Sequence, residues 1–151
     1  MTLDAALAIL HHVAAFALTG LLVAELVLLR GRLDGDAIRR FGPIDAMYGA
    51  SAGVVVLVGI GRLLFGDVPA DFYLGNAFFW VKMAALATVA AISLLPTIQG
   101  FRWRRALRAD PAYAPPMAEA TRVRRALTAQ LVVLPLIPVS AALMARGIGA
   151  L

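Results

Sequence analysis

Residues 5–29 are apolar throughout except for His11, His12, Thr19 and Glu25, and no other stretch limits the fold of this chain so strongly. Roughly 20 such residues are enough for one helix to cross the hydrocarbon of a bilayer. Residues 46–65, 77–98 and 127–144 are similar or nearly so, and little sequence is left for a soluble domain. With 62% hydrophobic and 15% charged residues and a mean hydropathy of +0.85, the composition is that of an integral membrane protein. A transmembrane β-barrel would alternate apolar and polar residues along each strand. Residues 14–24 and 54–57 show no alternation, so the spans read as helices, which satisfy their own backbone in lipid.

The net charge of +5 is explained by where the basic residues fall. Eleven of the 14 lie after the first span (Arg30, Arg32, Arg39, Arg40) or between the third and fourth (Arg102, Arg104, Arg105, Arg108, Arg122, Arg124, Arg125). Basic loops on one side of the membrane are the positive-inside pattern. The reading is a single all-α domain over residues 1–151, an integral membrane four-helix bundle. Loops 1 and 3 are expected in the cytoplasm and both termini outside. Thirteen arginines against a single lysine point to a bacterium with a GC-rich genome, so the expectation is a multi-pass protein of the bacterial inner membrane with its termini in the periplasm. The excess charge follows from this topology and implies no nucleic-acid partner. Asp4 stands where a signal peptide would be basic, and the run after it is too long for a signal's apolar core, so it is expected to remain as the first helix. There is no cysteine, hence no disulfide or thiolate ligand.

Arg30 and Arg32 mark the cytoplasmic end of the first span. Residues 36–41 then read as a short interfacial helix, broken from the second span by Gly42 and Pro43, with Asp45 opening that span. Gly49 and Gly53, flanked by Ala46, Ala50 and Ser51, give one face almost free of side chains. Such a face suits close packing within the bundle, and secondly a homodimer. Phe72, Tyr73, Phe78, Phe79 and Trp80 surround the outer loop as an interfacial belt, with Tyr73 and Trp80 also suited to the mouth of a pocket. The third span is expected to kink or stop at Pro96, with Trp103 at the inner interface. Pro135 and Pro138 should bend the fourth, which carries no charge before Arg146 and reads as wall. The two arginine runs around residues 110–116 suit anionic lipid at the cytoplasmic face.

Ionisable groups inside spans are costly and are candidates for function by default. They fall into two layers. His11 and His12 lie about 10 Å down the first helix, and Arg62 and Lys82 reach the same level from the second and third. Toward the cytoplasm lie Glu25 and Asp45, with Arg30 and Arg40 within reach as an anchoring ion-pair cluster. His11 and Glu25 share a stripe but are about 21 Å apart along it, so they belong to different sites. The adjacent histidines point about 100° apart and cannot chelate one ion together. A b-type haem would suit the outer layer, with one imidazole as axial ligand and Arg62 or Lys82 against the propionates. The second axial ligand would come from Lys82, from Met47 or Met83, or from a second chain.

The sequence Leu10-His11-His12, Ala24-Glu25-Leu26, Asp45-Ala46-Met47-Tyr48-Gly49, Gly61-Arg62 and the run from Tyr73 through Phe79-Trp80-Val81-Lys82, with Leu95-Pro96-Thr97 and Arg102-Trp103, resembles a bacterial family of predicted membrane proteins, domain of unknown function 2214. The resemblance covers nearly the whole chain and implies a four-helix inner-membrane protein with no assigned activity. More distantly, a histidine in the first helix and Phe79-x-x-Lys82 in the third look like the J-type membrane protoporphyrinogen oxidase, which implies bound haem b and porphyrinogen oxidation. The chain departs from that pattern. Phe16 stands where a tryptophan is expected after the histidine, and the third helix has no histidine toward its inner end. The leading expectation is an outer-leaflet pocket of His11 or His12, Arg62 and Lys82 that binds haem or another anionic ligand. The alternatives are a non-catalytic packing or assembly protein and, behind it, a small transporter using Glu25 and Asp45.

Overall fold

A computed structural model describes residues 2–31 and 33–151, so Arg32 lies outside the described residues. The elements are α1 (Leu3–Arg30), α2 (Gly35–Phe65), α3 (Ala70–Leu74), α4 (Ala77–Ala109), α5 (Met117–Val133) and α6 (Leu136–Ala145). Among the described residues there is no strand, only an isolated bridge between Asn76 and Ala150. Four helical units are long and apolar enough to cross a membrane: α1, α2, α4, and α5 with α6 counted together. The start of α1 is fixed by Thr2, whose hydroxyl accepts from Ala5 N at 3.2 Å, and that of α2 by Asp34, which accepts from Ala37 N at 3.0 Å.

Helix α1 packs against α2 and α5, α2 also packs against α4, and α4 packs against α5 and α6, which closes the ring of an antiparallel bundle. The densest core lies toward the arginine-rich end. There Leu18, Leu22, Leu26 and Leu29 of α1 meet Ile38, Phe41 and Tyr48 of α2, Trp103 and Leu107 of α4, and Val123 and Leu127 of α5. Each set recurs at three, four or seven residues, the spacing that keeps side chains on one helical face. Gly100 lets α2 and α4 approach closely here, because a Cβ on it would sit 2.7 Å from the Phe41 ring.

Three breaks expected at prolines resolve differently. Residues 36–41 are no separate interfacial piece, since α2 runs unbroken through Gly42 and Pro43. The lost proline hydrogen bond is one among many in a helix 31 residues long, and Phe41 and Gly42 are buried in the bundle beside it. Helix α4 likewise continues through Pro96, which is buried, to Ala109. Only the fourth span breaks, at Leu134 and Pro135, so that α5 and α6 are separate helices with Pro138 inside the second. Trp103 is fully buried in the bundle, and its indole donates to Glu119 Oε2 at 2.9 Å. Gln99 donates to the same oxygen at 2.6 Å, which ties α4 to the start of α5.

The opposite end is closed by the C-terminal residues. Ala77 N donates to Gly149 O and Leu151 N to Gly75 O, each at 2.8 Å, while the buried Asn76 side chain donates to Ile148 O at 3.1 Å and accepts from Phe78 N at 2.9 Å. Gly149, at φ +88° against the Phe78 ring, supplies a backbone shape that other residues rarely adopt.

Candidate functional site

The histidine end holds a cationic cluster built from three helices. His11 on α1 is half-buried opposite Gly59 of α2, whose missing side chain leaves room for the ring. The ring reaches the Val55 backbone, while its Nδ1 is buried without a hydrogen-bond partner. The charges of Arg62 on α2 and Lys82 on α4 both reach His11 and act on each other. Lys82 is half-buried with its ammonium 5.0 Å from the Phe79 ring centre, a cation–π contact. No carboxylate pairs with it among the described residues.

Two features of this cluster were not anticipated. Arg62 Nε pairs with Asp4 Oδ1 at 3.3 Å, so its charge is already met. His12 points outward, exposed, and its Nδ1 donates to the Ala8 carbonyl at 2.6 Å. The two rings meet edge-on with centres 6.1 Å apart. Of the two histidines, then, only His11 faces the cations. Trp80 is exposed and donates to Leu74 O at 3.1 Å, while Tyr73 meets Phe72 edge-on and Phe79, the ring under Lys82, at a tilt.

The second layer is deeper and differently composed than expected. Because α2 begins at Gly35, Asp45 is ten residues into the helix, about 15 Å along it rather than at its opening. Glu25, 1% exposed, has neither carboxylate oxygen hydrogen-bonded. It lies within electrostatic reach of Asp45 and Tyr48. Thr97 of α4 donates to Asp45 Oδ1 at 2.8 Å, and the Tyr48 hydroxyl donates to Gln130 Oε1 at 2.8 Å. Gln130, on α5, is fully buried and its amide nitrogen has no partner.

The anchoring ion-pair cluster is not what forms. Arg30 and Arg40 are exposed, and among the described residues neither pairs with Glu25 or Asp45. The cation whose charge reaches Asp45 is Arg104, laid against Gly42 and 4.9 Å from the Phe101 ring. The exposed ends of α1 and α2 point Arg30 and Arg40 to the surface, so their long side chains have water to reach.

Spacing reasoning missed Tyr48, Thr97, Gln130, Arg104 and Asp4. For Gln130 the signal was there: the buried stripe Ala120, Val123, Leu127, Gln130 puts a polar residue on an otherwise apolar inner face. Outside the spans, burial first and Glu119 second raise the Tyr113 hydroxyl above its ordinary pKa. The arginine-rich end carries two surface hollows. One of 360 Å³ is lined by Met117, Ala118, Thr121, Arg122 and Arg125, and one of 260 Å³ by Gly31, Leu33, Pro115, Met117, Ala120 and Arg124.

A bundle of four apolar helices with two buried polar layers defines an α-helical membrane protein. A family model described as predicted membrane protein, DUF2214, matches residues 3–149, and the chain belongs to that family. No curated protein and no solved structure matches it, so the likeness to the J-type oxidase rests only on the residues that suggested it.

Proposed function

We propose that the cluster of His11, Arg62 and Lys82 binds an anionic ligand of the haem class in the outer leaflet of a bacterial inner membrane. The observation that carries this is Lys82, a half-buried cation with no carboxylate partner among the described residues, beside a histidine whose buried Nδ1 is also unpartnered. Leaving a cation inside a span without a counter-charge is costly, and an anionic ligand removes that cost. The donor types suit haem b: His11 would hold the iron, Lys82 would hold the iron or a propionate, and Arg62, shared with Asp4, would balance propionate charge. His12 is the weaker candidate because one ring nitrogen is already committed to Ala8. When bound, haem would supply a one-electron redox centre; the chain's own residues hold it and balance its charge.

The test is a visible spectrum of the protein purified in mild detergent from haem-supplemented cells. A haem absorption band that survives His12→Ala and disappears in His11→Ala supports the reading. A colourless preparation would sink the haem version.

Two partners complete the reading. Anionic lipid at the arginine-rich end is supported by Arg122 and Arg125 lining one groove. A homodimer through Gly49 and Gly53 is supported by the open face of α2 there, since a Cβ at either glycine would meet nothing within 4 Å. Both glycines are exposed and meet no other helix of the bundle.

A further inference from the structure

The inner polar layer has a charge that nothing among the described residues answers. Two carboxylates from adjacent helices, Glu25 and Asp45, reach each other electrostatically. Arg104 reaches Asp45, and Thr97 donates to it, so Asp45 has a cation and a hydrogen bond. Glu25 has neither. It sits 1% exposed among Leu22, Leu26 and Leu29, where a bare carboxylate is far too costly to persist. Among the described residues the one charge that acts on Glu25 is Asp45; α2 presents Asp45 and Tyr48, α4 Thr97 and Arg104, and α5 the uncharged Gln130.

We propose that Glu25, with Asp45, Tyr48, Thr97 and Gln130 around it, forms an exchange site for a small cation, a proton or an alkali-metal ion, deep inside the bundle. One negative charge is left over from the pair once Arg104 is counted, and one monovalent cation cancels it. The carboxylates of Glu25 and Asp45 and the hydroxyls of Tyr48 and Thr97 offer oxygens, the ligands of hard cations, while at Gln130 the oxygen accepts from Tyr48 and the atom without a partner is the amide nitrogen. With two carboxylates, and no group of three or more histidine, cysteine or acidic side chains among the described residues, the set matches a single rather than a double charge. Every long helix contributes, α1 through Glu25, α2 through Asp45 and Tyr48, α4 through Thr97 and α5 through Gln130, so cation loading bears on how the whole bundle packs. The unpartnered Gln130 amide and the Tyr48 hydroxyl bonded to it supply a neutral edge that can turn as Glu25 gains or loses its cation. The site is independent of the histidine cluster.

The experiment is thermal unfolding of the full chain in detergent, with sodium titrated against choline at constant ionic strength and the series repeated across pH. The expected result is a melting temperature that rises to a plateau with one of the two cations and does not respond in Glu25→Gln. A response to sodium at fixed pH assigns the metal ion, and a response to pH alone assigns the proton. Asp45→Asn removes the neighbouring negative charge and should move the half-saturating cation concentration about tenfold higher. A wild type indifferent to both cations, or Glu25→Gln responding as wild type does, overturns the proposal. Should Glu25→Gln not fold, an unchanged half-saturating concentration in Asp45→Asn overturns it equally.

Discussion

Glycines on α2 and α4 have opposite consequences at single positions. Gly100 faces the Phe41 ring, and a methyl there must displace a fully buried aromatic. Gly100→Ala should therefore destabilise the protein by about 1–3 kcal/mol. Within a single chain Gly49 has no neighbour, so Gly49→Ala should leave the monomer unchanged or stabilise it by up to about 1 kcal/mol through helix propensity, and should weaken a dimer packed through this face. Thermal unfolding of the two variants side by side checks both signs. The same scale explains why the inner site was only half legible in the sequence. Glu25 was conspicuous as the lone carboxylate of its span, but measuring it from His11 hid the more telling fact that it lies on the leucine stripe that faces the core. Gln130, uncharged, drew no notice on a span read as wall, yet it is fully buried. Asp4 pairs with Arg62 across 58 residues, and no local spacing reports such a partner.

At the scale of elements, hydropathy located all four spans, but it could not say what a proline does. Pro43 and Pro96 lie inside long helices whose neighbours bury the surrounding turns, while Pro135 ends α5. This changes the site as well as the fold. With residues 36–41 continuous with the span, Asp45 moves from a helix opening to a buried position. The junction of α4 with α5 rests on Glu119, whose Oε2 accepts from both Gln99 and Trp103. Glu119→Leu leaves the buried indole N–H without a partner and should lower stability by about 1–3 kcal/mol. Denaturation that shifts by much less would show that the arginine-rich end is held by apolar packing alone.

For the whole molecule, four antiparallel helices put both termini at the histidine end, where residues 148–151 bond back to the start of α4. From the arginine distribution we propose that this end faces outward. Reporter fusions at the two termini should therefore both report the periplasm, and a cytoplasmic signal from either would invert the layers. Gly149→Ala, strained at φ +88° and pressed on Phe78, should loosen this closure while leaving the inner core intact. The class of protein was readable from apolar length and charge placement because lipid imposes those directly. Partnership between helices was not, because spacing gives a residue's height and face but not its neighbour.

The central claim, a ligand held by His11 and Lys82, is tested most directly by titrating purified wild type, His11→Ala and Lys82→Met with haemin and following the absorbance. Saturable binding by wild type, weakened about tenfold or more in each variant, is the predicted result. No saturable binding by wild type, or the same affinity in all three, would contradict it.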